Sequence, residues 1–63
     1  MAVTLESDVV LRESAASDSA EIVQLHAGDT FEILELARRN AWGLAPAHGL
    51  VGYILATAIG PRT

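Results

Sequence analysis

A chain this short can do chemistry only with a handful of side chains. The candidates are the hydroxyls of Ser14, Ser17 and Ser19, the imidazoles of His26 and His48, eight carboxylates, and the single Trp42 and Tyr53. A serine nucleophile needs a base and an orienting group fixed by packing. Here the three serines share a small, polar stretch with no histidine close by in sequence. There is no cysteine, so thiolate catalysis and thiolate metal sites are excluded. The two histidines fall on segments that look unrelated, too few and too far apart to predict zinc or any other cofactor. Glu6, Asp8, Glu13, Asp18, Glu21, Asp29, Glu32 and Glu35 follow a solvated pattern, with no pair that burial would tune for acid–base work. The residues therefore predict no catalytic site. Any enzyme activity of a whole protein would belong to a domain absent from this chain.

Charge and composition narrow the classes further. Eight Asp/Glu stand against four Arg, and all the acids precede residue 36, whereas Arg38, Arg39 and Arg62 follow it. Nucleic-acid binding requires a basic stripe that releases counterions from phosphates, and none is visible. No apolar run reaches the ~20 residues that span a bilayer. Residues 1–12 carry acids where a signal peptide has a basic end and an apolar stretch. Composition leaves the compartment open. Hydrophobic content of 51% indicates a folded chain, and 63 residues make a single domain at most.

The elements that must hold these side chains read as short strands. Eleven alanines would favour helix by count alone, but they are scattered among glycine, proline and β-branched residues without a 3.6-residue stripe. Short apolar segments separated by turn chemistry predict an all-β fold instead. Strands are expected at Val3–Leu5, Val9–Leu11, Glu21–Leu25, Thr30–Ala37, Ala41–Ala45 and Leu50–Leu55, with one helical turn at Ala56–Ala58. Arg12–Ala20 reads as a polar loop, because its Ser and Asp side chains compete for backbone hydrogen bonds. Phe31 and Ile33 share one face of their strand, yet Leu34 and Leu36 fall on the face of Glu32. A β-bulge near Leu34 reconciles the two. Pro46 suits the second position of a type I turn, and Pro61 ends the ordered chain. Gly28 and Gly49 are expected at positive φ, and Asn40 also tolerates a left-handed conformation at its turn. The expected core is Val23, Leu25, Phe31, Ile33, Leu44, Ile54 and Ile59.

The hairpin between the last two long strands places Trp42 and Tyr53 side by side, where two amphipathic aromatics would form a shallow ligand shelf. Alternation with Gly52 and Ile54 turns Tyr53 away from their face. Trp42 is either part of that shelf or the largest side chain of the core or its boundary.

The order of the segments carries a resemblance. L-R-E-S (Leu11–Ser14), a polar loop, I-V-Q-L-H-A-G-D (Ile22–Asp29), F-E-I-L (Phe31–Leu34), A-W-G (Ala41–Gly43) and G-L-V-G-Y-I (Gly49–Ile54) follow one another. This series resembles the bacterial SH3-like domain (SH3b), especially the version placed before NlpC-type cysteine peptidases of the cell wall. The similarity runs from Val9 to Ile59, and G-x-V-G-Y-I after a tryptophan-bearing strand is its strongest part. Two positions depart from the family: Ser14-Ala15-Ala16 stands where Gly or Pro is usual, and Asn40-Ala41 precedes Trp42 where glycine often does. Trp42 accordingly matches the family's tryptophan or a position one or two further along.

The resemblance implies an SH3-like barrel of five to six short antiparallel strands. It also implies a non-catalytic module that binds peptidoglycan stem peptide or shapes the groove of an adjacent peptidase domain. The loop from Glu13 to Asp18 would border that groove, its carboxylates receiving the peptide's free amine. Glu13, Asp18, Trp42 and Tyr53 are thus the expected ligand-binding residues; the loop acids also fit an ordinary solvated loop. The alternative is a scaffold that docks on a neighbouring domain or forms a weak homo-oligomer. Leu34, Leu36, Leu50 and Leu55 favour it, since a core this small cannot hold them all.

Overall fold

Six strands alternate with tight turns: β1 (Ala2–Thr4), β2 (Val9–Arg12), β3 (Glu21–Leu25), β4 (Thr30–Leu36), β5 (Asn40–Ala45) and β6 (Leu50–Leu55). A 3-10 helix, Ala56–Ile59, follows β6. The computed structural model describes residues 1–16 and 18–59; Ser17 and Pro61, assigned from sequence to the polar loop and the chain's ordered end, lie outside them. All pairings are antiparallel and form one sheet in the order β1-β4-β5-β6-β2-β3, which leaves β1 and β3 as its edges. The chain is therefore all-β, with strand bounds within one residue of those the sequence predicts.

Alternation puts one face of the sheet on the core. Leu11, Leu25, Phe31, Ile33, Ala41, Ala45 and Ile54 are buried, joined by Leu5, Val9, Ala58 and Ile59. Phe31 and Leu11 are wholly enclosed. They find room because the strands beside them carry small inward residues. Gly43 and Gly52 pair directly across β5 and β6. A methyl group on Gly43 would sit 2.0 Å from the carbonyl oxygen of Glu32 and 2.9 Å from the Phe31 ring. On Gly52 it would sit 2.6 Å from the Arg12 carbonyl and 2.9 Å from the Leu11 side chain. Only glycine permits approach this close, and the sheet curls there around its large side chains.

Two expected core residues are corrected. Leu44 is half-buried, because it pairs with Val51 and Glu32 on the face turned away from the core. Val23 packs against the core but is also half-buried, since β3 is an edge strand and has no neighbour on its far side. The larger omission is at the start of the chain. Leu5 is pinned after β1 by its own N–H, which donates to the Asp29 carbonyl (2.8 Å), and by its carbonyl, which accepts from the Gly28 N–H (2.8 Å). Glu6 N–H donates to the Ala58 carbonyl (2.7 Å), so this segment and the 3-10 helix together close one end of the core.

The bulge lies where the sequence places it. Ile33 pairs with Gly43 and Glu35 with Trp42, leaving Leu34 as the extra residue. A second irregularity between Leu11 and Arg12 leaves Ile22 unpaired on β3. Gly28 (φ 93°) and Gly49 (φ 67°) occupy the left-handed region, and among the described residues no other type does, Asn40 included. Asn40 instead starts β5, opposite Leu55. His48 N–H donates to the Ala45 carbonyl (3.0 Å), as a type I turn with Pro46 at its second position requires.

Candidate functional site

The outward face carries the groups that could meet a ligand. Directly paired residues project from the same side of a sheet, so the registers define a row across five strands. Glu35 on β4 pairs with Trp42 on β5, Trp42 with Tyr53 on β6, Tyr53 with Arg12 on β2, and Arg12 with Glu21 on β3. Trp42 and Tyr53 are both half-buried; their ring centroids lie 6.5 Å apart at a tilt of 43°. The aromatic pair expected from the hairpin thus forms, and Trp42 belongs to the outer face.

Pairing between β2 and β6 is limited to one position, Arg12 with Tyr53. No other position of the two strands pairs. A cleft of about 540 Å³ opens there, lined by Val9 and Val10 on β2 and by Tyr53, Ile54 and Leu55 on β6. Its polar lining comes from Arg12 on β2, Gln24 on β3, Asp8 before β2, Arg39 in the β4–β5 turn and Asn40 at the start of β5. Ser14 and Ala15 form its rim on the loop side. Two guanidiniums and one carboxylate therefore share a concavity with a phenol and an aliphatic wall. Such a lining suits a small molecule bearing both carboxylate and amine.

Arg12 ties the loop to the sheet. One of its guanidinium nitrogens donates to the Ser19 carbonyl (2.9 Å) and the other to Glu21 Oε2 (3.3 Å). Inside the loop, Ser19 Oγ donates to the Ser14 carbonyl (3.1 Å) and accepts from the Ser14 N–H (3.4 Å), while Ser14 Oγ accepts from the Ala16 N–H (3.3 Å). Glu13 N–H donates to the Ala20 carbonyl (3.1 Å). The serine hydroxyls are structural braces, which is the work short polar side chains do in turns.

Of the expected site residues, the structure brings Tyr53 to the cleft and places Trp42 beside it, one strand away from the lining. Glu13 and Asp18 are exposed on the loop and lie outside the lining; the loop reaches the cleft through Ser14 and Ala15 instead. The residues the sequence reading missed are Arg12, Arg39 and Asp8. Arg12 had a signal, since it alternates with buried Leu11 and so must face Tyr53's side of the sheet. Arg39 and Asp8 had none, because a turn and a strand entry far apart in sequence meet only through the order β5-β6-β2.

His26 Nδ1 lies 3.8 Å from Asp8 Oδ1, with both side chains exposed. Among the described residues no group of three or more His, Asp or Glu side chains comes together to hold a metal ion. No helix of the described residues is long and apolar enough to cross a membrane. No family model, curated protein or solved structure matches the chain.

Proposed function

We propose that the protein is a non-catalytic binding module of the bacterial SH3-like kind, whose cleft beside Tyr53 receives a short segment of peptidoglycan stem peptide. The observation that carries this reading is the cleft beside the single β2–β6 pair, Arg12 with Tyr53, where Arg12, Arg39 and Asp8 line one apolar-walled concavity. A stem peptide carries carboxylates and a free amine on a partly aliphatic chain. Arg12 and Arg39 meet the carboxylates and Asp8 meets the amine, with the aliphatic part against Val10 and Leu55. The acids Glu13 and Asp18 then contribute at longer range, from the rim.

Six short antiparallel strands, the bulge in β4 and a 3-10 helix that ends at Ile59 support an SH3-like barrel. The barrel is the finer reading of a sheet whose β1 and β3 are edges. In a cell-wall hydrolase the same cleft would hold peptide for an attached peptidase or shape that enzyme's groove.

Binding is expected to be weak, with a dissociation constant in the high micromolar to millimolar range, because a shallow site on so small a module buries little area. Isothermal titration with a soluble stem tetrapeptide tests this. Tyr53→Ala should weaken binding about fivefold or more, as loss of an aromatic anchor does. Arg39→Ala should weaken it and flatten its salt dependence, since an exposed charge contact is screened over about 8–10 Å. Equal affinity of both variants and the parent protein would remove the cleft from the account.

A further inference from the structure

The row Glu35–Trp42–Tyr53–Arg12 has a property that the peptide reading does not use. Read across the sheet, it runs acid, aromatic, aromatic, base. Around the aromatic pair lie Leu44 and Val51, paired in the next row, and Leu55 at the end of β6. Val51 is 47% exposed and Leu55 55% exposed. The bulged Leu34, also 55% exposed, adjoins Glu35 on β4. This apolar patch has Glu35 on one flank and, on the other, Arg12, which already pairs with Glu21 at the end of the row. Glu35 makes no ion pair among the described residues.

We infer that this outer face is an interface for a second copy of the chain. A two-fold axis lying in the interface, parallel to the strands and midway between β5 and β6, keeps position along the strands and reverses order across the sheet. Trp42 then meets Tyr53 of the second copy, Leu44 meets Val51, and Glu35 meets Arg12, each contact occurring twice. The row is complementary to itself only in this orientation. A two-fold axis in the interface but perpendicular to the strands would instead set acid against acid and base against base. The sheet curves around its core, so the aromatics touch first and the charges close at the rim, where a glutamate and an arginine are long enough to meet. Arg12 keeps donors for this, because a guanidinium has five N–H groups and its contacts with Ser19 and Glu21 use one on each of two nitrogens.

Size sets the strength. The molecule measures 30 × 24 × 19 Å. The ~800 Å² per partner found in a stable complex would take about a fifth of its 3983 Å² of accessible surface. The dimer is therefore a weak one, forming toward millimolar concentration and giving way as salt screens Glu35 from Arg12. Tyr53, Arg12 and Leu55 also line the cleft, so peptide and second copy exclude each other. The interface is tested without peptide, and so stands or falls independently of the proposed ligand.

Sedimentation of the protein from micromolar to millimolar concentration, at low and high salt, should show reversible association that salt weakens. Isotope-filtered nuclear Overhauser spectra of a mixed labelled sample should show contacts between Trp42 and Tyr53 of different copies. Glu35→Arg places an arginine against Arg12 in both pairs and should weaken association about tenfold or more. Glu35 is exposed, so the monomer's amide spectrum should otherwise persist. A monomer at every concentration overturns the inference. So does association that ignores Glu35→Arg, or intermolecular contacts confined to the edge strands β1 and β3.

Discussion

Gly43 and Gly52 face each other where a methyl group would press on the backbone of β4 and of β2, and this decides how the core can be filled. Overpacking of this kind typically costs about 1–3 kcal/mol, and the neighbours here are carbonyl oxygens that cannot swing aside. A domain of 63 residues has about 3–9 kcal/mol in total. Gly43→Ala should therefore lower the thermal midpoint sharply or unfold the protein, with Gly52→Ala somewhat milder. Far-UV circular dichroism on heating reads both, and an unchanged midpoint for Gly43→Ala would mean the strands do not approach as described. Phe31, fully enclosed beside Gly43, is the complementary case. Phe31→Ala should cost about 3–5 kcal/mol, and a stable, folded variant would remove Phe31 from the core.

At the scale of elements, the loop between β2 and β3 matters most for the site. Its shape rests on the Ser14–Ser19 exchange and on the Arg12 guanidinium at the Ser19 carbonyl. Ser19→Ala deletes the exchange but keeps the Arg12 contact, which uses the main chain. The expected loss is about 0.5–1 kcal/mol, small because the bonds are exposed. Hydrogen exchange at the Ser14 amide should nevertheless quicken, while amides of β5 hold their protection. Equal rates before and after the change would show that the hydroxyls do not brace the loop.

The strands themselves were legible, because period-2 alternation and the turns at Gly28 and Gly49 are local signals. The β4 bulge was legible too, from the change of sides at Leu34. Leu5, Val9 and Leu11 were not recognised as core. Leu5 is held by the Asp29 turn, beside the 3-10 helix, which no local pattern encodes, and Val9 and Leu11 lie on a short strand buried by its place between β6 and β3. Leu44 failed for the opposite reason: an apolar residue of a strand was assumed to face inward, whereas register with Val51 turns it out. The cleft was half legible. Tyr53 followed from alternation, but Arg39 and Asp8 stand 31 positions apart in sequence.

For the whole molecule, the surplus of acids does not describe the site. The chain carries a formal charge of −4, yet the cleft collects two arginines and one aspartate. Net charge speaks for solubility, and only the fold says which charges converge. In the proposed reading, ligand selection falls to Arg12, Arg39 and Asp8 more than to the acidic loop. The central claim is that this cleft binds peptide, and chemical-shift mapping of the labelled protein with a soluble stem tetrapeptide tests it most directly. The account predicts saturating shifts at Val10, Ser14, Ala15, Arg39, Asn40 and Leu55 and at the Tyr53 ring, weaker at Glu13 and Asp18. Amides unmoved at millimolar peptide, or shifts gathered at the β1 and β3 edges, would contradict it.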